Sequence, residues 1–169
     1  MRRQKGMRCV PEERNGHGAI INMSLSENAL LTASHEPDNV SASGLVSWVK
    51  CHALSRKIIG SYDVRTPHHD PLAGSLSGGN LQKFMIGREM MSRPRLLIVA
   101  QPTWGVDIGA AQAIRAAMRT LLEELISRHS TRSPAEIAAD IERDKILTAA
   151  EAVEYGLIDQ VLASRKAKA

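Results

Sequence analysis

Ser77-Gly78-Gly79-Asn80, inside the run SLSGGNLQKF at 75–84, is the stretch whose residue types could do chemistry. Two glycines after a serine let a backbone approach a ligand closely, and a helical pattern follows at once. A helix that starts there turns unbonded amide N–H groups toward whatever lies in front of it, which favours an anion such as a phosphate. Ser77 can add a hydroxyl donor. Yet the chain contains no GxxxxGK(S/T) segment, so the usual lysine-bearing phosphate cradle is absent. The sequence offers half of a nucleotide site.

The elements that must position this loop follow from hydrophobic period and turn chemistry. After Gly79, Leu81, Phe84, Met85 and Met90 recur at helical spacing, and Pro94 ends the pattern. Leu96–Ala100 (LLIVA) is a short continuous apolar run, the form of a fully buried strand in a parallel sheet. Pro102 and Gly105 mark the turn after it. From Ile108 a long helix is expected, with Ile114, Met118, Leu121, Leu122, Leu125 and Ile126 on one face. Upstream, Asn15–Gly18 and Thr66–Pro71 read as loops and 34–44 as a polar linker. Ser24-Leu-Ser-Glu27 has capping-box form before Ala29, Leu30 and Leu31. Residues 45–61 read as a helix with Val46, Val49, Ala53, Leu54, Ile58 and Ile59 on a broad face that Trp48 extends. Downstream, Ser133-Pro-Ala-Glu136 and Thr148-Ala-Ala-Glu151 are two further helix starts, and Gly156 stops the second helix. Leu157–Leu162 fits a strand.

Composition narrows the function classes. Of 169 residues, 43% are hydrophobic and 24% charged, globular values that argue against wholesale disorder. Aromatics make up 3%, so the core must rest on Leu, Ile, Val, Met and Ala. The net charge of +4 is spread out. The densest basic runs, Arg2, Arg3, Lys5 and Arg8, then Arg165, Lys166 and Lys168, have no stacking aromatics between them, so no nucleic-acid partner is expected. Cys9 and Cys51 form neither CxxC nor a Cys/His ligand cluster, and reduced thiols are expected. No apolar stretch follows the first basic residues, and no window reaches the roughly 18 apolar residues of a membrane span. Neither a secretory signal nor direct membrane insertion is expected, and a cytoplasmic location is.

The run Leu76-Ser-Gly-Gly-Asn80 resembles the LSGGQ signature loop of ABC-type ATPases. About seventeen residues on, Leu97-Ile-Val-Ala-Gln-Pro-Thr-Trp-Gly-Val-Asp107 resembles their Walker B strand and D-loop, normally four apolar residues then D-E-P-T-x-G-L-D. Val10-Pro-Glu-Glu-Arg14 with Met23-Ser-Leu-Ser-Glu-Asn-Ala-Leu30 resembles the Q-loop region and the start of the helical subdomain. Residues about 9–117 are most similar to the second cassette of two-cassette sugar and nucleoside import subunits. The resemblance implies a nucleotide-binding role for Ser77, Gly78, Gly79, Asn80 and Asp107. In that family a signature loop faces the Walker A of the opposite cassette, so these residues would complete an ATP site in trans. The implied partners are a Walker A-bearing cassette and transporter membrane subunits, through which the chain would sit at the inner face of the cell membrane. The departures are chemical. The Walker B aspartate position holds Ala100, which cannot offer magnesium an oxygen, so magnesium is not expected to be held by this chain alone. The catalytic glutamate position holds Gln101, which can orient water and cannot take its proton. The Q-loop glutamine position holds Glu12, and no histidine switch loop follows the D-loop.

After about residue 118 that pattern stops. Ile137-Ala-Ala-Asp-Ile-Glu-Arg-Asp-Lys145, then Thr148-Ala-Ala-Glu-Ala-Val-Glu-Tyr-Gly-Leu-Ile-Asp159, resembles the C-terminal part of the ClpP proteolytic subunit, a serine peptidase of crotonase-like fold. The resemblance covers about 119–165. It implies that Asp144 is the triad acid that orients a catalytic histidine. His129 matches a family histidine that is not the base, and the segments carrying the nucleophilic serine and the base are absent. Asp144 is thus an orphan, and intact ClpP subunits are the implied docking partners.

The expectation is a mainly helical α/β chain. It is an incomplete P-loop NTPase (ABC) fragment at 1–117, followed by a ClpP/crotonase-like fragment at 118–169. The implied function is a partial ATP-binding subunit of a sugar or nucleoside importer. The alternatives are a peptidase-like tail without a complete triad and a truncated chimeric frame with no function. Autonomous hydrolysis of ATP or peptide is not expected.

Overall fold

A computed structural model describes residues 3–34, 39–41 and 44–162. Arg2, Arg165, Lys166 and Lys168 of the two basic runs, and parts of the 34–44 linker, lie outside the described residues. The chain divides into two compact units, Met1–Ala117 and Met118–Ala169. Among the described residues there are six α-helices and a two-stranded parallel sheet, a mainly helical α/β chain.

In the first unit, strand β1 (Met7–Val10) pairs in parallel with β2 (Leu96–Val99), Met7 opposite Leu96 and Val10 opposite Val99. Helix α1 (Leu25–Ala33) begins at the Ser24/Glu27 capping box: the Ser24 hydroxyl accepts from Glu27 N, and the Glu27 carboxylate accepts from Ser24 N at 2.7 Å. Helix α2 (Trp48–Ser61) follows, then α3 (Gly78–Met91), which Pro94 follows. Helix α3 packs against α1, α2 and β1 and is buried nearly all round, from Leu81 to Met90. Helix α4 (Ile108–Ser127) is the expected long helix, and the division between the two units falls inside it.

In the second unit, α5 (Pro134–Glu142) and α6 (Ala149–Tyr155) start at complete capping boxes, Ser133/Glu136 and Thr148/Glu151. Gly156 ends α6 at φ 84°.

Four expectations need correction. β1 has no counterpart in the sequence reading, because Arg8 breaks its apolar run; the arginine is 4% exposed and donates to Ser92 Oγ at 2.7 Å. β2 is parallel as expected but not fully buried. Leu96 and Ile98 are 54% and 44% exposed, because α3 covers one face of the pair and, within this unit, nothing comparable covers the other. The buried face of α2 is Cys51, Ser55 and Ile58, one helical row at i, i+4 and i+7, whereas Val49 is 79% exposed and Val46 precedes the helix. Leu157–Leu162 forms no strand: no neighbouring strand offers it a ladder, and its residues are mostly exposed.

Packing around α3 is tight enough to dictate a residue. A Cβ added at Gly87 would lie 2.5 Å from Tyr62 Cδ2 and 2.8 Å from its Cγ. Mid-helix glycine ordinarily costs about 1 kcal/mol against alanine. Here the sign reverses, because the Tyr62 ring must move for any side chain to fit. Gly87→Ala is expected to destabilise the first unit by about 1–3 kcal/mol despite its better helix propensity. Thermal unfolding followed by circular dichroism checks this; a melting temperature at or above that of the parent chain refutes it.

Candidate functional site: the start of helix α3

Ser77 is the N-cap of α3, with extended backbone at φ −61° and ψ 152°. Its hydroxyl accepts from Asn80 N at 3.4 Å and from Asn80 Nδ2 at 3.0 Å. Both bonds use the oxygen's lone pairs and leave the hydroxyl proton to donate. The amides of Gly78 and Gly79 stand in the first turn, where a helix has no carbonyl one turn earlier to accept them. Ser77 and Gly78 are exposed, so the amide end of α3 faces solvent. The Asn80 side-chain oxygen Oδ1 accepts from Arg65 N at 2.9 Å, which ties the loop before α3 to its first turn.

The segment after β2 meets this loop. A Cβ on Gly79 would lie 3.0 Å from Asp107 Oδ2 and 3.2 Å from Ala110 Cβ, so only glycine lets the two helix starts approach this closely. Asp107 Oδ1 accepts from Ala110 N at 2.8 Å and caps α4. That amide, foremost among several causes, holds the Asp107 carboxyl below its ordinary value. Arg14 spans the same place: its Nη1 donates to Gly105 O at 3.3 Å, and a Cβ on Gly78 would stand 2.8 Å from that nitrogen. Asn80 and Asp107 also line a cavity of about 240 Å³ with Arg65 and Lys83. Sequence reasoning passed over these cations. Lys83 was findable at i+3 from Asn80 on the helix; Arg14 and Arg65 arrive from distant loops, and no local pattern marks them.

Thus Ser77, Gly78, Gly79, Asn80 and Asp107 come together. Gln101 lies in the turn after β2, and Asp144 belongs to the second unit. Ala100 N donates to Val10 O at 3.0 Å and prolongs the ladder. Gln101 then turns into the left-handed region at φ 45°, uncommon for a side chain larger than glycine. It is exposed, and among the described residues nothing bonds its side chain. The donor set suits an anion at α3. It does not suit magnesium, for Ala100 has no oxygen to offer at the Walker B aspartate position.

Asp144, in the second unit, also has left-handed backbone, φ 47°, just past α5. It is exposed at the edge of a cavity of about 260 Å³ lined by Leu122, Ile126, Ile141, Tyr155 and Leu157, and among the described residues no serine or histidine joins the lining. The anchored carboxylate of this unit is instead Asp140, 9% exposed. It accepts from Tyr155 Oη at 3.0 Å, Lys145 Nζ at 3.1 Å and Arg143 Nη2 at 2.8 Å. Burial pushes the Asp140 carboxyl up, but the bonds from Lys145, Tyr155 and Arg143 outweigh it and hold the group below its ordinary value. Burial, then the bond to Asp140, pushes the Tyr155 hydroxyl up.

The first unit presents a helix start with a capping aspartate, Asp107, and the second a packed tail with an anchored carboxylate, Asp140. The comparisons reach across both units. Residues 76–165 match the Clp protease family model. That match covers more than half of the chain, and the chain belongs to the Clp protease family. Its N-terminal part is similar to ABC import ATP-binding proteins. The guanosine import ATP-binding protein NupO of Bacillus subtilis is 40% identical over 111 residues, 66% of this chain and 22% of that protein. The galactose/methyl galactoside import ATP-binding protein MglA of Pasteurella multocida is 40% identical over 109 residues, 64% of this chain and 21% of that protein. The nucleoside import ATP-binding protein NupA of Lactococcus lactis is 33% identical over 144 residues, 85% of this chain and 27% of that protein. The chain spans about a quarter of the length of these curated relatives. The Clp match starts at Leu76, so it overlaps the segment that carries the signature-like loop. The residues LSGGN and PTWGVD there follow the ATPase pattern, and the peptidase phrases lie beyond residue 133. Among the described residues no helix is long and apolar enough to cross a membrane.

The Asp140 network generates a pH prediction. A carboxyl held below its ordinary value contributes stability above the ordinary carboxylate range, lost as pH falls through the folded value. A phenol pushed up contributes below about pH 10, and that contribution is lost as pH rises through the raised value. The second unit is therefore expected to be most stable between these limits, and Asp140→Asn is expected to lower its melting temperature at pH 7 and flatten the acid limb. Melting temperature against pH for the parent chain and the variant checks it; parallel curves refute it.

Proposed function

We propose that the first unit is a partial ATP-binding component of a sugar or nucleoside importer, able to complete a nucleotide site in trans and unable to turn ATP over alone. The observation that carries the reading is the start of α3: an exposed serine N-cap with its proton to spare, an exposed Gly78 ahead of a buried Gly79 in the first turn, and Asp107 packed against Gly79. These groups can grip the phosphates of an ATP held by the Walker A of another cassette. The bound nucleotide would supply the phosphoryl group; this chain's part is to bind, orient and exclude water at Ser77, Gly78 and Gly79, with Asn80 and Asp107 holding the two helix starts together. Gln101, exposed and unbonded, would orient a water without accepting its proton. Magnesium would have to be held by the partner cassette. Transporter membrane subunits are the further partners, and the chain would be cytoplasmic and peripheral to the membrane through them. The solute belongs to those subunits. We propose 1–117 and 118–169 as the functional boundaries, supported by the division into compact units at Ala117 and Met118. In the second unit Asp144 is read as a triad acid without its serine and base, so no peptide hydrolysis is proposed for it.

Purified full chain is expected to melt at the same temperature with and without Mg-ATP. Mixed with a Walker A-bearing cassette, it is expected to associate only when nucleotide is present, as sedimentation velocity would report. Gly78→Asp tests the site directly. An acid at the first helical position favours the helix, and the contact its Cβ meets is the far end of the flexible Arg14 side chain, which can shift and pair with it, while its charge repels a phosphate. Loss of nucleotide-dependent association with an unchanged melting temperature is the expected result. Association that persists in Gly78→Asp, or that needs no nucleotide, refutes the reading.

A further inference from the structure

Away from the α3 start, three basic side chains meet at one cavity. It encloses about 300 Å³ and is lined by Val49, His52 and Arg56 of α2 and by His69 of the loop before α3. His52 and Arg56 are four residues apart, so they share a helix face, and His69 reaches the cavity from a different segment. Val49 supplies the one apolar wall. The arrangement is braced from behind. Asp70 Oδ2 lies 3.4 Å from His52 Nδ1, which engages one ring nitrogen and leaves Nε2 for a ligand. The same carboxylate accepts from Ser26 N at 2.8 Å and from Ser26 Oγ at 2.6 Å, in the first turn of α1. Its charge is thus engaged by α1, and Asp70 is not among the residues lining the cavity. Trp48 stands 6.3 Å from the His52 ring, tilted at 42°.

We propose that this cavity binds a tetrahedral oxyanion, free or as the head of a phosphate ester, at mildly acidic pH. Arg56 supplies a permanent cation and a planar fork of donors suited to such an oxyanion. The two imidazoles add ring N–H donors, and positive charge where they are protonated. The groups that face them are Arg56 from α2, Asp70 and the neighbouring His68 from the loop, and Ser26 from α1. Against the single Asp70 charge stand the Arg56 cation and the two imidazoles.

The test is a sulfate titration of the full chain at constant ionic strength, followed by the histidine Cε1–H resonances at pH 5.5 and pH 8.5. Sulfate does not titrate in this interval, so any pH dependence belongs to the protein. His52 and His69 are expected to show saturating shifts at the lower pH, with His17 and His129 unmoved, and affinity is expected to fall about tenfold or more at the higher pH. Arg56→Gln is expected to weaken binding about tenfold and Arg56→Lys less. Arg56 is exposed, so neither variant threatens the fold. Tighter binding of phenyl phosphate than of sulfate assigns the group to an ester, and equal binding assigns it to a free ion. Linear shifts alike in all the histidines, or an Arg56→Gln variant that titrates like the parent chain, overturn the proposal.

Discussion

The first unit depends on one buried ion pair. Glu89 is fully buried and Arg88 7% exposed, side by side in the middle of α3. Burying either charge alone would be prohibitive, and in the pair each guanidinium nitrogen finds an acceptor. Arg88 Nε donates to Glu89 Oε1 at 3.1 Å, Nη1 to Asn28 O at 3.1 Å and Nη2 to Gly18 O at 2.9 Å. Glu89 Oε2 accepts from Arg3 Nη1 at 2.9 Å. Asn28 extends the net: its side chain donates to the carbonyls of Ile20, Met23 and Ser24 and accepts from Ile20 N at 2.8 Å. One guanidinium thus sets α3 against α1 and against the 15–23 loop. The anion-facing end of α3 lies about 14 Å up the helix from it, so that pair fixes where Ser77 and the glycine amides sit.

What was legible in the sequence follows from how local each signal is. Three capping boxes, at Ser24, Ser133 and Thr148, were read from four-residue patterns and are all present, because both partners of a box lie within one turn. The signature-like loop was legible for the same reason, and Asn80 does close onto Ser77. The Arg88 net was illegible: an Arg-Glu dipeptide in a helix ordinarily reads as a solvated face, and its partners lie 60 and 70 residues away. The buried face of α2 was misjudged because Cys51 and Ser55 are weaker apolar signals than Val49. The burial of Arg8 hid β1, and the apolar run at Leu157–Leu162 promised a strand that had no ladder to join.

The sheet shows the same limit from the other side. A strand is defined by its neighbours, and a parallel pair is stable when both faces are covered. Here Arg8 and Val10, with Leu97 and Val99, turn toward one face, and Val10 is 1% exposed. Met7, Cys9, Leu96 and Ile98 share the other face and stay largely open. The local sequence of β2 specifies a strand fit for a larger sheet than the one it occupies in this unit.

Helix α3 does not share that dependence, and this separates the site's shape from its chemistry. Its caps are local, its Gly87 is fitted to Tyr62, and its charges close on α1, the N-terminal segment, the 15–23 loop and, through Lys83, Asp63 after α2. The start of α3 therefore keeps the form of a phosphate-facing loop without a lysine cradle beside it. Shape alone cannot cleave a phosphoanhydride, since Ala100 offers no metal ligand and Gln101 no base. On the proposed reading, the half that grips and the half that cleaves would be supplied by different chains, so the α3 start would need its shape and not the hydrolytic groups.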